Sequence, residues 1–501
     1  MNTSIVRFIL GYVLKIESVL LIPPIITGLI YGEKQAISYV IVALVCAGLG
    51  FLMTIKKPED TVFYLKEGCV TTALSWIFMS FFGALPFMLT GEIPHFVDAF
   101  FETVSGFTTT GASILEDVER LSHTSLLWRS FTHWIGGMGV LVFLLAIIPL
   151  TGGSNINLMK AESPGPSVGK LVPKIKSTAQ ILYLIYIGLC VLEFILLIIG
   201  KMPIFHAICM TFGTAGTGGF GILNSSAADY TAYQQWVIAV FMLLFGINFN
   251  FYYFFLHKKW KKAIAIEEVR WYIAIILAST AIIFFNIHNA LPTVEEGIRQ
   301  SFFQVCSIIT TSGFSTVNFD MWNTMPKLIL VTLMFIGACA GSTGGGLKVS
   351  RIIILVKTFV KEASGYLHPK SIKKIKVDGE SLDHDVLRST NVYFITYVMI
   401  YIISMFLVSF EDKDLITTFT SVAATLNNIG PGLGLVGPAQ NFNIMSNLSK
   451  VVLTFDMLIG RLELFPMIIL FHPVLWKEAL VAKKHQHKWK KMQKKACGKI
   501  E

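Results

Sequence analysis

The sequence predicts an all-α integral membrane protein: an N-terminal helix pair, then four repeats of helix, pore loop and helix (M1–P–M2) around one pore. Three observations lead there. Only 14% of the 501 residues are charged and 54% are hydrophobic, against about 25% charged in soluble chains. The apolar residues come in repeated runs, many near the ~20 residues a spanning helix needs. Between those runs lie four segments with the same half-helix and glycine pattern. An ordinary soluble enzyme, a secreted disulfide scaffold and a disordered chain are excluded.

The apolar runs fall near 8–30, 36–54, 68–90, 125–150, 178–200, 233–256, 271–288, 326–359, 391–410 and 448–475. The first is too long for a signal-peptide core and reads as a retained helix, bent or ended by Pro23 and Pro24. These runs divide the chain into a helix pair at 1–57, repeats at 58–160, 161–262, 263–365 and 366–476, and a basic tail at 477–501.

Four connections are too apolar to be water-exposed turns: FVDAFFETVSGFTTTGAS (96–113), FHAICMTFGTAGTGGFG (205–221), SFFQVCSIITTSGFST (301–316) and FTSVAATLNNIGPGLG (419–434). Each gives a short apolar half-helix, then Thr, Ser or Asn, then glycine, and so forms an internal repeat. One glycine aligns them, at Gly111, Gly219, Gly313 and Gly430. The residues before it complete the candidate filter: Thr109 and Thr110, Thr217 and Gly218, Thr311 and Ser312, Asn428 and Ile429. Irregular backbone at membrane depth is tolerated only where protein or a wet cavity surrounds it. Glycine admits positive φ, so successive carbonyls can turn to a common axis. Four such loops give rings of carbonyl oxygen that replace the hydration shell of a monovalent cation. Each half-helix also points its partly negative C-terminal end at that axis.

Charge distribution sets the orientation. Thirty of the 41 Lys and Arg lie in alternate connections, at 54–67, 151–177, 257–270, 347–389 and 477–501. The positive-inside rule places those, and both termini, in the cytoplasm. The net charge of +10 thus belongs to topology, and nucleic acid is not expected as a partner. The basic runs at 258–262, 370–376 and 483–495 suit anionic lipid or an acidic regulatory partner. Acidic residues, including Glu92, Asp98, Glu102, Glu116 and Asp117, gather on the opposite side. The seven cysteines are scattered without metal or disulfide spacing, and no cluster of catalytic side chains is evident, so no enzymatic activity is expected. His485 and His487 read as solvated tail residues.

The four loop segments, with RSFTHWIGGMG (129–139), resemble the Trk/Ktr/HKT superfamily of potassium transporters. The added N-terminal pair makes the chain most similar to the TrkH branch, over nearly its whole length. The resemblance implies a channel-like fold, K⁺ (with Rb⁺ as a substitute) held in the filter, and a homodimer in the bacterial inner membrane. It also implies gating by a cytosolic RCK subunit; the nucleotide would bind there, and no organic cofactor would bind this chain. Gly111 stands where some plant relatives that favour sodium carry serine. Symport of K⁺ with H⁺ or Na⁺ is the alternative to a passive pathway.

Two further features concern control. The run at 326–359 is interrupted by GACAGSTGGGLK (337–348), whose Gly341, Gly344, Gly345 and Gly346 are poor helix formers. It reads either as a close-packed helix crossing or, by the resemblance, as an intramembrane gate loop. Arg461 is the one Lys or Arg deep in an apolar run. It reads either as a structural ion pair or as a charge in the pore that opposes cation passage while the gate is closed.

Overall fold

The computed structural model describes residues 2–58, 64–137, 139, 175–368 and 374–477, with the side chains of 175–180 left aside. The expected second half of the run at 125–150, most of the basic segment at 151–177, the tail with His485 and His487, and part of the basic run at 370–376 lie outside these residues.

The first apolar run forms two helices, α1 (Thr3–Leu20) and α2 (Ile22–Tyr31), which part at Leu21. Pro23 and Pro24 sit in the first turn of α2, where a missing backbone N–H costs nothing. Helix α3 (Ala36–Thr54) returns and packs along α1, with Gly11 and Gly50 at the crossing. A Cβ on Gly50 would lie 2.7 Å from the Gly11 oxygen, so the small residues set the approach.

The loop between α2 and α3 ties this pair to the rest. Glu33 accepts hydrogen bonds from the backbone N–H of His123 (2.8 Å) and Thr124 (2.9 Å) and from the Thr124 hydroxyl (2.7 Å). Its carboxylate lies 2.9 Å from the His123 imidazole. It thereby caps α6 (His123–Gly137) from another element. Burial raises the Glu33 pKa, but the bonds from Thr124 and His123 outweigh it and hold the group below its ordinary value. A lowered carboxyl pKa stabilises the fold above the unfolded value and loses that stability as pH falls through the folded one. Glu33→Ala therefore lowers the melting temperature at neutral pH. The gap to wild type, read by thermal melts across pH, closes below about pH 4.5.

Among the described residues, five helices are long and apolar enough to cross a membrane unbroken, and a bent pair makes a sixth. The helices after α3 form the four repeats. Repeat 1 is α4 (Leu65–Thr90), α5 (Phe96–Phe107) and α6; repeat 2 is α7 (Ile175–Ile199), α8 (Ile204–Ala215) and α9 (Ala232–Phe245). After α9 come α10 (Phe249–Leu256) and α11 (Trp260–Ala265). Repeat 3 is α12 (Glu267–Ile287), α13 (Val294–Ile309) and α14 (Thr324–Ile336), continued by α15 (Val349–Leu367). Repeat 4 is α16 (His384–Val408), α17 (Leu415–Leu426) and α18 (Asn447–Arg461), followed by α19 (Phe465–Leu470). A two-residue hairpin, Lys376–Val377 with Glu380–Ser381, is the described β-structure.

Each half-helix packs on the two long helices of its own repeat and on the last helix of the preceding one. Thus α5 meets α4, α6 and α18; α8 meets α7, α9 and α6; α13 meets α12, α14 and α9; α17 meets α16, α18 and α14. That cyclic order closes the four repeats around one axis.

Runs that read as single spans are broken. The helices α9 and α10 meet at 91°, 337–348 separates α14 from α15, and Leu462 to Leu464 separates α18 from α19. Glu463 and Leu464 take left-handed φ of 59° and 66° at the last break. The expectation that Arg461 alone carries positive charge into the interior is corrected. Lys348 and Arg351, counted with the cytoplasmic segment, are buried, and so are Arg129 and Lys450. Charge counting by segment fails where the chain dips back into the bundle.

Candidate functional site

The four half-helices end four residues before their glycines, at Phe107, Ala215, Ile309 and Leu426. All four ends have the same geometry. The N–H of the residue before each glycine returns to a carbonyl five residues back: Thr110 to Ser105 (2.9 Å), Gly218 to Gly213 (2.9 Å), Ser312 to Ser307 (2.8 Å), Ile429 to Ala424 (2.8 Å). This is the long bond of a Schellman cap, whose preceding residue must be left-handed. That residue is Thr109 (φ 55°), Thr217 (53°), Thr311 (61°) or Asn428 (55°). Threonine is β-branched and resists this region, so the surrounding structure holds strain at these positions. The glycines follow, at φ 78°, 80°, 79° and 102°.

The glycines close a ring. A Cβ on Gly111 would collide with the backbone oxygen of Gly218, one on Gly219 with that of Ser312, and one on Gly313 with that of Ile429. A Cβ on Gly430 would lie 2.7 Å from the oxygen of Thr110, which returns the order to repeat 1. Every glycine therefore abuts the carbonyl just before the next repeat's glycine. All twelve predicted filter residues are thus brought to one axis, with nine of them buried and Gly111, Gly219 and Gly313 half-buried. Asn428, the one non-threonine among the left-handed four, bonds to the adjoining loop of repeat 1: its Nδ2 donates to Thr110 Oγ1 at 2.9 Å.

Side chains behind the ring hold it. Glu102 and Arg129 form a buried ion pair at 2.8 Å, and Glu102 also accepts from Ile114 N–H (3.0 Å) and Ser113 Oγ (3.0 Å). Arg129 donates to Gly221 O at 3.2 Å and stacks 4.0 Å from the Phe220 ring. His133 joins the same two loops: its Nδ1 lies 2.9 Å from Gly106 O, and its Nε2 accepts from Phe220 N–H at 3.1 Å. In repeat 3, Ser307 Oγ donates to Phe314 O at 2.5 Å, and Thr316 Oγ1 accepts from Gln304 Nε2 at 3.2 Å. Sequence reading missed these supports, because the two partners of each contact lie in different elements. A buried Glu, Arg or His near the glycine motif was the available signal.

The segment 337–348 lies against the ring where the half-helices end. Gly345 N–H donates to Thr311 Oγ1 at 2.6 Å. A Cβ on Gly344 would sit 2.8 Å from Thr310 O, and one on Gly345 would collide with Asn427 O. Gly341 and Gly346 have φ of 68° and 77°, which favours glycine. The elbow between α9 and α10 grips the same segment: Cys339 N–H donates to Gly246 O (3.1 Å), Phe249 N–H to Gly341 O (3.1 Å) and Thr343 Oγ1 to Phe245 O (3.2 Å). Glu268 pins both ends, accepting from Ala340 N–H at 2.6 Å and Ser350 N–H at 3.1 Å.

Arg461 reaches this loop from α18. Its Nη1 donates to Thr343 O at 2.9 Å and its Nη2 to Gly136 O at 2.6 Å. One guanidinium therefore spans repeats 1 and 3 from repeat 4. The nearby acids are engaged elsewhere: Glu463 pairs with Arg351, and Asp456 accepts from Ser404 at 2.6 Å. Lys348 bonds Gly344 O, which adds a second cation beside the loop.

Among the described residues, no group of three or more His, Cys, Asp or Glu is placed to hold a metal ion, and the six described cysteines are free and buried. The ring's own oxygens are its available ligands.

Comparison with known proteins gives a consistent result. The TrkH family profile, described as a cation transport protein, matches residues 33–482. The chain is 35% identical to the Trk system potassium uptake protein TrkH of Salmonella typhimurium and, equally, to that of Escherichia coli K12; each match covers 95% of this chain and 100% of the relative. The Trk system potassium uptake protein TrkG of E. coli K12 is 32% identical over 95% of this chain and 100% of its own length. The crystal structure of the potassium transporter TrkH from Vibrio parahaemolyticus superposes with a TM-score of 0.85 at 30% identity, covering 95% of this chain and 100% of that one.

Proposed function

The chain belongs to the TrkH family of cation transport proteins, and on that premise we propose that it takes up potassium through its glycine ring. The family makes it a multi-pass membrane transporter rather than an enzyme. The observation that carries the proposal is the closed ring, in which each filter glycine abuts the carbonyl before the next. Backbone that is left-handed at Thr109, Thr217, Thr311 and Asn428, and again at the glycines, turns successive carbonyls toward the axis. A potassium ion there exchanges its water for peptide oxygens. The half-helix C-termini add partial negative charge at the inner end.

The segment 337–348 acts as the gate, with Gly341, Gly344, Gly345 and Gly346 giving it the freedom to move. Arg461 places positive charge below the ring while the gate is shut. The hydrogen bonds that hold the loop are each worth about 0.5–1.5 kcal/mol. A partner that favours the open state by a few kcal/mol can therefore shift the equilibrium. That partner is an RCK-type cytosolic subunit, which binds the nucleotide. The transporter works as a homodimer in the bacterial inner membrane, with both termini cytoplasmic.

The test is ⁸⁶Rb⁺ uptake into proteoliposomes at a defined potential, with and without the regulatory subunit. Uptake follows the K⁺ electrochemical gradient, is competed by K⁺ before Na⁺, and does not require a proton or sodium gradient. Uphill accumulation driven by either gradient at zero potential would favour symport instead. No uptake under any condition would overturn the transport reading. Arg461→Ala raises uptake without the regulatory subunit by about tenfold, the factor for about 1.4 kcal/mol of lost barrier. Unchanged flux and control in that variant would remove Arg461 from the gate.

A further inference from the structure

We infer that the elbow α9–α10–α11 is a binding site for anionic phospholipid headgroups, and that the lipid acts on the gate through this elbow. The second part rests on the gate reading above. Helix α10 turns 91° from α9, so it lies near the plane of the membrane that α9 crosses. Six of its eight residues are aromatic, four Phe and two Tyr, which suits a helix seated at the membrane interface. Four exposed lysines follow at once: Lys258, Lys259, Lys261 and Lys262. Beside them stand exposed apolar side chains, with Leu256 63%, Trp260 52% and Ile264 66% accessible. Aromatic and aliphatic residues interleaved with lysine suit the boundary between acyl chains and anionic headgroups. Lysine is depleted in protein–protein interfaces, which favours the bilayer over an acidic protein as the occupant.

The opposite end of this element holds the gate. Phe249 N–H, at the start of α10, donates to Gly341 O at 3.1 Å. Asn248 caps α10 through Asn250 N–H at 3.0 Å, and its Nδ2 donates to Glu268 at 3.1 Å. The carbonyls released by the bend are satisfied by Tyr252 (to Leu244 O, 2.6 Å) and Tyr272 (to Leu243 O, 3.2 Å). These bonds tie the bend into one unit through which a shift of α10 reaches Gly341. Attraction of the lysines to an anionic surface draws α10 outward and Gly341 away from the ring, which favours the open gate.

Two measurements on the full chain test this. Native mass spectrometry follows retention of phosphatidylglycerol against phosphatidylcholine in wild type, in K258Q/K259Q/K261Q/K262Q and in W260A. Wild type prefers phosphatidylglycerol, and the quadruple variant loses that preference by about tenfold or more. Equal retention in wild type and quadruple variant overturns the site. If the variant keeps its lipid but loses the regulatory subunit, the patch binds an acidic protein, which also overturns it. The second measurement is ⁸⁶Rb⁺ uptake in vesicles with and without roughly 30% phosphatidylglycerol. The anionic lipid raises wild-type uptake severalfold and leaves the quadruple variant unchanged. Lipid retention without this flux response overturns the control of the gate. Absence of flux from every chain would instead count against the transport reading, and the retention data would still decide the lipid site.

Discussion

Gly219→Ala reduces ⁸⁶Rb⁺ uptake by about a hundredfold, the scale on which an ångström of misplacement disables a preorganised site. Two effects combine. At φ 80° alanine costs about 1–2 kcal/mol relative to a right-handed position. Its Cβ would also strike the Ser312 carbonyl, an oxygen that belongs to the ring itself. The neighbour is backbone and cannot rotate away, so the ring must deform. Gly188→Ala is the matched control. It lies in α7, where a Cβ meets nothing within 4 Å, and it leaves uptake unchanged. If Gly219→Ala transported like wild type, with unaltered preference for K⁺ over Na⁺, the ring would not be the path.

Glu102→Leu destabilises the protein by about 3–5 kcal/mol, the cost of leaving one member of a buried ion pair uncompensated. Arg129 is 3% exposed and Glu102 1%, so water cannot replace the lost carboxylate. Thermal melts in detergent read the loss, and K⁺ over Na⁺ preference falls with it, because Arg129 and Glu102 together hold Gly221 and Ile114 beside the filter. Adding Arg129→Met restores part of the stability. The recovery is incomplete, since Ile114 N–H and Gly221 O keep no partner. A single variant as stable as wild type would mean that the pair does not support the loops.

What could be read beforehand follows from what kinds of signal a sequence carries. The repeat register was legible because glycine is required at the same place four times, at Gly111, Gly219, Gly313 and Gly430. The half-helices followed from apolar segments too short to span. The left-handed turns at Thr109, Thr217 and Thr311 were not legible, because local preference opposes them and only the assembled ring imposes them. The bend between Phe245 and Phe249 was hidden inside an unbroken apolar run, since hydropathy is blind to direction. Lys348 and Arg351 were assigned to the cytoplasm by their neighbours in the chain, while the fold carries them inward to Gly344 and Glu463. The hold of Arg461 on Thr343 and Gly136 joins residues 118 and 325 positions away, and local patterning says nothing about such pairs.

In the proposed pathway the ion sits on the axis of the four loops, held by backbone oxygen. Anomalous diffraction from crystals grown with Rb⁺ or Tl⁺ tests it most directly. Density is expected at the ring, enclosed by the carbonyls of Thr110, Gly218, Ser312 and Ile429, and is lost when excess K⁺ is added. Density confined to a lateral cavity, or none at the ring under conditions that support ⁸⁶Rb⁺ uptake, would contradict it.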